Sequence, residues 1–131
     1  MGGIYSSARE SFLTAGINWS TDTFGALLAT GGYTPNLGLD QHVADIPGPA
    51  ISGRQPLTSI SSNAGGAYAA DVNFSSVVGA AVVYIIIYKN TGSDATSPLI
   101  CLIDSANGLP VFPSGTPVTI SWDAINGIFI V

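Results

Sequence analysis

The chain carries one imidazole, His42, and it stands in Leu39-Asp40-Gln41-His42-Val43-Ala44-Asp45-Ile46, where histidine and carboxylates cluster. An imidazole nitrogen with carboxylate oxygens is a ligand set for a divalent cation, and on a helix His42 and Asp45 would share a face at a spacing of three, with Asp40 nearby. Two or three ligands with no obvious fourth fall short of a closed site. The competing reading is structural: Asp40 caps one helical turn while Val43 and Ile46 turn inward. It outweighs the metal reading.

A serine or cysteine nucleophile needs a base within hydrogen-bond reach, so one histidine leaves room for a single triad. No Gly-x-Ser-x-Gly occurs, and that removes the signature of a nucleophile elbow. Cys101, the single cysteine, lies in Pro98-Leu99-Ile100-Cys101-Leu102-Ile103; it allows neither an internal disulfide nor a thiolate zinc cluster and reads as a small buried hydrophobe. Seven aspartates and Glu10 supply carboxylates whose pairing cannot be read from spacing in strands. No phosphate-binding glycine motif and no calcium loop is present. The residues therefore predict a chain that is not an enzyme and holds no cofactor or metal, with a hydrolase as the rival. Trp19, Tyr33 or Tyr68 beside Asp or Asn would suit a carbohydrate-binding module, against the alternative that these rings are packing residues.

Charged residues make up 8% of the 131 residues, against about 25% in an average domain. Fifteen serines, ten threonines and sixteen glycines supply a hydroxyl and backbone surface, which favours close, self-complementary contacts over a charge-repelled monomer. The net charge is −5, with Arg9, Arg54 and Lys89 as the only cations, far too few for a phosphate track, so nucleic acid is excluded as a partner. The longest apolar run, Val77 to Tyr88, is too short and too β-branched for a spanning helix, which excludes a membrane helix.

The elements follow from patterning. Residues 77 to 90 form the most β-prone stretch, with Ala81, Val83, Ile85 and Ile87 on one side and Val82, Tyr84, Ile86 and Tyr88 on the other, so both faces are apolar. This predicts a central strand with at least one face in an interface. Ser7-Ala8-Arg9-Glu10 matches a capping box; Tyr5, Ala8, Phe12 and Ala15 make an apolar stripe, and Gly16 ends the helix, with Phe12 and Leu13 plugging the sandwich. Thr23 to Thr30 reads as a strand with small residues where a neighbour approaches closely. Pro47-Gly48-Pro49 breaks the chain, and Pro56 confines residues 50 to 62 to a sheet edge. A turn at 62–66 leads to a strand over 67–74; Leu99 to Ile103 pairs with the central strand; Leu109 to Pro117 is a proline-punctuated loop. The Asn126-Gly127 signal predicts a closing hairpin of Val118–Trp122 with Ile128–Val131. About eight short strands and one small helix describe an all-β fold, a β-sandwich or jelly-roll-like domain over residues 1–131. Gly2 fits a permissive myristoylation pattern, and Asn18-Trp19-Ser20 and Asn73-Phe74-Ser75 are formal sequons; all three read as chance matches.

Ser7-Ala8-Arg9-Glu10-Ser11-Phe12-Leu13 with Gly16-Ile17-Asn18-Trp19, Ala26-Leu27-Leu28, Tyr88-Lys89-Asn90-Thr91-Gly92 with Ser97-Pro98-Leu99-Ile100, Gly108-Leu109-Pro110-Val111 and Ser121-Trp122-Asp123 together resemble a family of small structural proteins of tailed bacteriophages. The resemblance implies a virion component without enzymatic activity. It leads to the expectation of a capsid decoration or cement protein that binds the major capsid protein and itself, as a trimer, with a neck, tail or baseplate component as the alternative. The N-terminus has no basic region followed by an apolar segment, which predicts synthesis in the host cytoplasm before the chain joins the virion. The self-contact is expected on Val82, Tyr84, Ile86 and Tyr88, or near Phe112 in the proline-rich loop.

Overall fold

The computed structural model describes residues 3–74, 77–104, 112, 114, 115, 117–122 and 127–130. The expected features at Met1-Gly2, Ser75, 105–111 and 123–126, and the terminal Val131, lie outside them. The described chain is all-β: one large antiparallel sheet, two small ones and one short helix.

The large sheet has the order β1 (Gly3–Ile4), β8 (Leu99–Ile103), β7 (Val82–Lys89), β2 (Phe24–Thr30) and β3 (Ile51–Pro56). β7 is central, as its composition predicts, and pairs with both β2 and β8. Leu28, Ile85 and Ile103 stand side by side on one face, and Leu27, Ile86 and Leu102 on the other. Opposed apolar pairs of this kind are the unit of sheet stability, and a fully buried aliphatic side chain contributes about 1.5–3 kcal/mol. Gly25 has a specific task in β2. A Cβ there would sit 2.7 Å from the Tyr88 ring and hydroxyl, so the bare backbone leaves space for that ring, the close approach expected of the small residues.

β3 is the edge strand that Pro56 predicts. The Leu57 amide donates to Phe24 O, and alternate residues of an antiparallel pair face the same way, so the proline nitrogen faces away from the sheet.

The small sheets cover one face. β4 (Ser61–Asn63), β5 (Gly66–Tyr68) and β10 (Phe129–Ile130) form one, and β6 (Val72–Phe74) and β9 (Val118–Ile120) the other. Phe74 lies 3.5 Å from where a Cβ on Gly53 would be. Ile120, Trp122 and Ile128 line a cavity of about 160 Å³ with Ile85 and Ile103. On the opposite face the Tyr33 ring meets Tyr84 edge-on at 6.1 Å. Leu37 lies 3.2 Å from a Cβ position on Gly3. Two single 3-10 turns, Val43–Asp45 and Gly48–Ala50, bring Val43, Ile46 and Ala50 into the same core.

Several expectations are corrected. The helix α1 spans Ser6–Leu13 and starts from Tyr5, with no side-chain cap. The Ser7 capping box is replaced by tertiary partners: Tyr5 N donates to Ile100 O and Ser6 N to Leu37 O, while the Ser7 hydroxyl is buried and unpaired. Ala15, not Gly16, takes the left-handed conformation after the helix (φ 63°). Phe12 packs on Phe129, but Leu13 is 88% exposed and plugs nothing. The stretch 67–74 is two strands in two sheets, and β9 and β10 do not pair with each other. Gly127 explains the second point: at φ 71° it packs directly on the Ala67 carbonyl, where any Cβ would collide, and Ile128 N then donates to Ala67 O, so the last strand joins β5. The turn at 62–66 forms, with Ala64 and Gly65 both at positive φ (51° and 84°), the geometry of a tight two-residue hairpin.

Candidate functional site

Residues 33–46 fold into two carboxylate-closed turns. Asp40 Oδ2 accepts from the Asn36 amide at 3.0 Å and from the Tyr33 hydroxyl at 2.7 Å. Tyr33 and Tyr5 are buried, their hydroxyls 2.8 Å apart. Because Tyr33 spends its proton on an acceptor-only carboxylate, Tyr5 is the donor in that pair. Burial pushes the Tyr5 phenol well above its ordinary range, with the nearby Asp40 charge adding to it and the Tyr33 bond opposing it. Burial does the same to Tyr33, reinforced by the bond to Asp40. Neutral buried phenols of this kind tie α1 to the 33–46 segment.

Asp45 reaches back in the same way. Its Oδ2 accepts from the Gln41 amide at 2.8 Å and the His42 amide at 3.0 Å, and these bonds, Gln41 first, hold its carboxyl below the usual range. The structural reading of this segment therefore holds in outline, with Val43 and Ile46 buried. The residue that closes the 3-10 turn is Asp45, and Asp40 closes the turn before it. Among the described residues, no three His, Cys, Asp or Glu side chains gather into a metal set. His42 lines a polar groove of about 290 Å³ with Ser7, Glu10 and Ser11, but the Ser7 hydroxyl has no partner and is not held on the imidazole. Cys101 is buried, and that burial pushes its thiol up to about 12.

The loop after β7 is tied down by its own hydroxyls. Ser97 Oγ donates to Ser93 O at 2.7 Å and accepts from the Thr91 amide at 3.1 Å, and the Thr91 and Thr96 hydroxyls meet at 2.6 Å. Arg54 grips Asp94 with two bonds of 2.7 Å. This pairing raises the guanidinium and lowers the carboxyl. Lys89 bonds Gly16 O and lies 3.2 Å from Asp22. The Asn18 amide, and then Lys89, hold the Asp22 carboxyl low.

The residues expected in a self-contact separate. Val82, Ile86 and Tyr88 are 0%, 0% and 4% exposed within the single chain, and Tyr84 is half-buried against Tyr33. The chain's own segment 33–50 occupies the face expected to meet another copy, so that placement is corrected. A contiguous apolar run cannot by itself say whether its cover is local or foreign. Phe112, in contrast, is 75% exposed. Gly115 N donates to Val77 O at 3.0 Å, in the register set by Phe74 opposite Val118. Val78 (68%) is an exposed apolar side chain too.

Trp19 and Tyr33 pack in the core of the chain. Trp19 is 8% exposed, stacked on Phe24 at 4.3 Å, its indole N–H donating to Ser61 O at 2.7 Å, and Tyr33 is 2% exposed; Tyr68 is half-buried. What sequence reasoning missed is the groove over this cluster. It has about 370 Å³, with Phe12, Trp19 and Phe129 as its apolar lining and the β4–β5 hairpin as its wall. Its signal in the sequence was the small-residue turn Asn63-Ala64-Gly65-Gly66, which leaves the rings uncovered. No protein-family model and no curated protein sequence matches the chain.

Proposed function

We propose that the chain is a non-enzymatic structural subunit of a tailed-phage particle, a decoration or cement protein that binds the major capsid protein and other copies of itself. The observation that carries this reading is the division of its surface. Both faces of the main sheet are closed by the chain itself, while the apolar side chains of Val78 and Phe112 stand exposed. Large exposed apolar side chains mark contact surfaces. The 8% charged content and the hydroxyl-pinned 90–97 loop fit a part that is preorganised for packing against neighbours. The residues that resemble the phage family include parts of α1, β2 and the β7–β8 loop.

The test is addition of the purified chain to shells of the corresponding phage that lack it. Saturable binding at a fixed ratio to the major shell protein is the expected result. Shells that bind nothing, alongside a folded chain, overturn the reading.

A further inference from the structure

The segment 33–50 meets the loop between β7 and β8 along one seam. Val43 N donates to Ser97 O at 2.9 Å, Ala44 N to Asp94 O at 3.0 Å and Leu99 N to Gln41 O at 2.9 Å. His42 and Pro98 form an antiparallel bridge between them. A carboxylate stands on each side of this seam. Asp45 Oδ2 accepts from the Gln41 and His42 amides at 2.8 and 3.0 Å and so holds the turn that aims the Val43 and Ala44 amides. Asp94 is gripped twice, its carbonyl by Ala44 and its carboxylate by Arg54 of the edge strand β3. We infer that Asp45 and Asp94 form an acid-released latch: when both carboxylates take up protons, the 41–46 turn and the 93–98 loop part along this seam while the β2–β7–β8 sheet stays folded. The latch goes beyond the structural-subunit reading and does not depend on it.

The seam is shallow. Gln41, Ala44, Asp45 and residues 93–96 are exposed, and its buried anchors are Val43, Ile46 and Ser97. Segments with few buried contacts open locally ahead of the core, and the core here is the sheet around Ile85, Ile86 and Ile87, which are 1%, 0% and 0% exposed. The bonds across the seam are main-chain bonds, but the parts that carry them are fixed by carboxylates. An ionised carboxylate accepts on both oxygens, and a protonated one turns part of that capacity into a donor, which matches neither two amides nor a guanidinium. Side chains of Arg54 and Asp94 are 37% and 47% exposed. Such a pair is ordinarily weak, and its two parallel bonds make it the exception.

The charged and titratable groups shown against the two carboxylates are few among the described residues. Asp94 faces Arg54, whose guanidinium lies 5.9 Å from the centre of the Tyr88 ring of β7. Asp45 faces His42 of its own turn. Asp40, in the turn before, is directed to Tyr33 and Asn36. The Arg54 bonds hold the Asp94 carboxyl below its ordinary 3.8, and the Gln41 amide, then the His42 amide, do the same for Asp45. Both are lowered in the closed form, so the latch is complete above about pH 4 and is lost as the pH falls through the lower folded values. In that window each carboxylate shifts the opening equilibrium by up to about tenfold per pH unit.

Amide hydrogen exchange of the full chain, followed by NMR from about pH 6 to about pH 2.5 and expressed as protection factors, tests the latch. Protection at Val43, Ala44 and Leu99 is expected to fall together by about tenfold or more below about pH 4, while the amides that pair β7 with β2 keep theirs. Asp45→Asn combined with Asp94→Asn carries neither charge, so the same three amides should be poorly protected already at about pH 6 and lose no more on acidification. Arg54→Gln leaves both carboxylates in place and should shrink the acid-induced fall by the share of Asp94. Three amides that lose protection only together with β7 overturn the latch, and the wild-type titration alone decides this. A fall of undiminished size in the double variant or in Arg54→Gln overturns it as well.

Discussion

Replacing Tyr33 by Phe removes one oxygen and cuts the relay that joins Tyr5, Tyr33 and Asp40. The hydroxyl donates to Asp40 Oδ2 at 2.7 Å and accepts from Tyr5 at 2.8 Å, with both rings buried. Loss of the bond to a charged acceptor costs about 1.5–3 kcal/mol, and an orphaned Tyr5 hydroxyl costs about 1–3 kcal/mol, part of which the carboxylate recovers from solvent. A total near 3 kcal/mol is expected, or roughly 10 °C in Tm for a chain of this size. Tyr5→Phe removes only the neutral bond and should cost about 1 kcal/mol, since Tyr33 keeps its carboxylate. The double variant leaves no orphan donor, so its cost should fall at least about 1 kcal/mol short of the sum of the singles. Urea unfolding of the four proteins, read as midpoint and slope, measures this. A Tyr33→Phe cost below about 1 kcal/mol, or strict additivity, refutes the relay as a stabilising unit.

Alkaline pH provides a second probe of the same pair. Burial holds both phenols above their ordinary value of 10.0, so the unfolded chain releases these protons near pH 10 while the folded chain keeps them. The contribution is therefore complete below pH 10 and is lost as pH rises above it, by about 1.4 kcal/mol per pH unit for each phenol. Tyr33→Phe should halve the pair's share of that slope between pH 10 and 11.5, and an unchanged slope would contradict the assignment. Gly25→Ala drives a Cβ to 2.7 Å from Tyr88, whose ring also has the Arg54 guanidinium at 5.9 Å; calorimetry should show a loss of about 1–3 kcal/mol. Gly31→Ala, with nothing within 4 Å, is the neutral control. Ile86→Asp buries an unpaired carboxylate in the centre of the sheet and should abolish folding by circular dichroism; a folded monomer would instead restore Ile86 to an interface.

The legible parts of the fold were those set by local chemistry. β-Branched density marked β7 and β8, Pro56 marked an edge, and glycine in β2 marked a close neighbour. What was not legible depended on tertiary partners. The helix start moved to Tyr5 because Ile100 and Leu37 carbonyls satisfy its first amides, which no cap motif reports. The final strand left the expected hairpin because Gly127 fits only against Ala67. The pairing of β6 with β9, 48 residues apart at Val72 and Ile120, has no local turn to announce it. The same limit applies to the candidate surfaces. An apolar strand says that it must be covered, and Val82, Ile86 and Tyr88 proved to be covered by the chain itself. Phe112 was visible because a phenylalanine among prolines has few ways to be buried. The groove was not, because its rings are separated by 117 positions between Phe12 and Phe129.

The proposed role, a structural subunit repeated over a phage shell, is most directly tested by quantifying this chain against the major shell protein in purified particles of the phage proposed to carry it. A ratio near one to one, or a fixed fraction that corresponds to hundreds of copies by icosahedral repetition, is the predicted result. A count on the order of a dozen would move the chain to the neck or tail, and its absence from the particle would contradict the account.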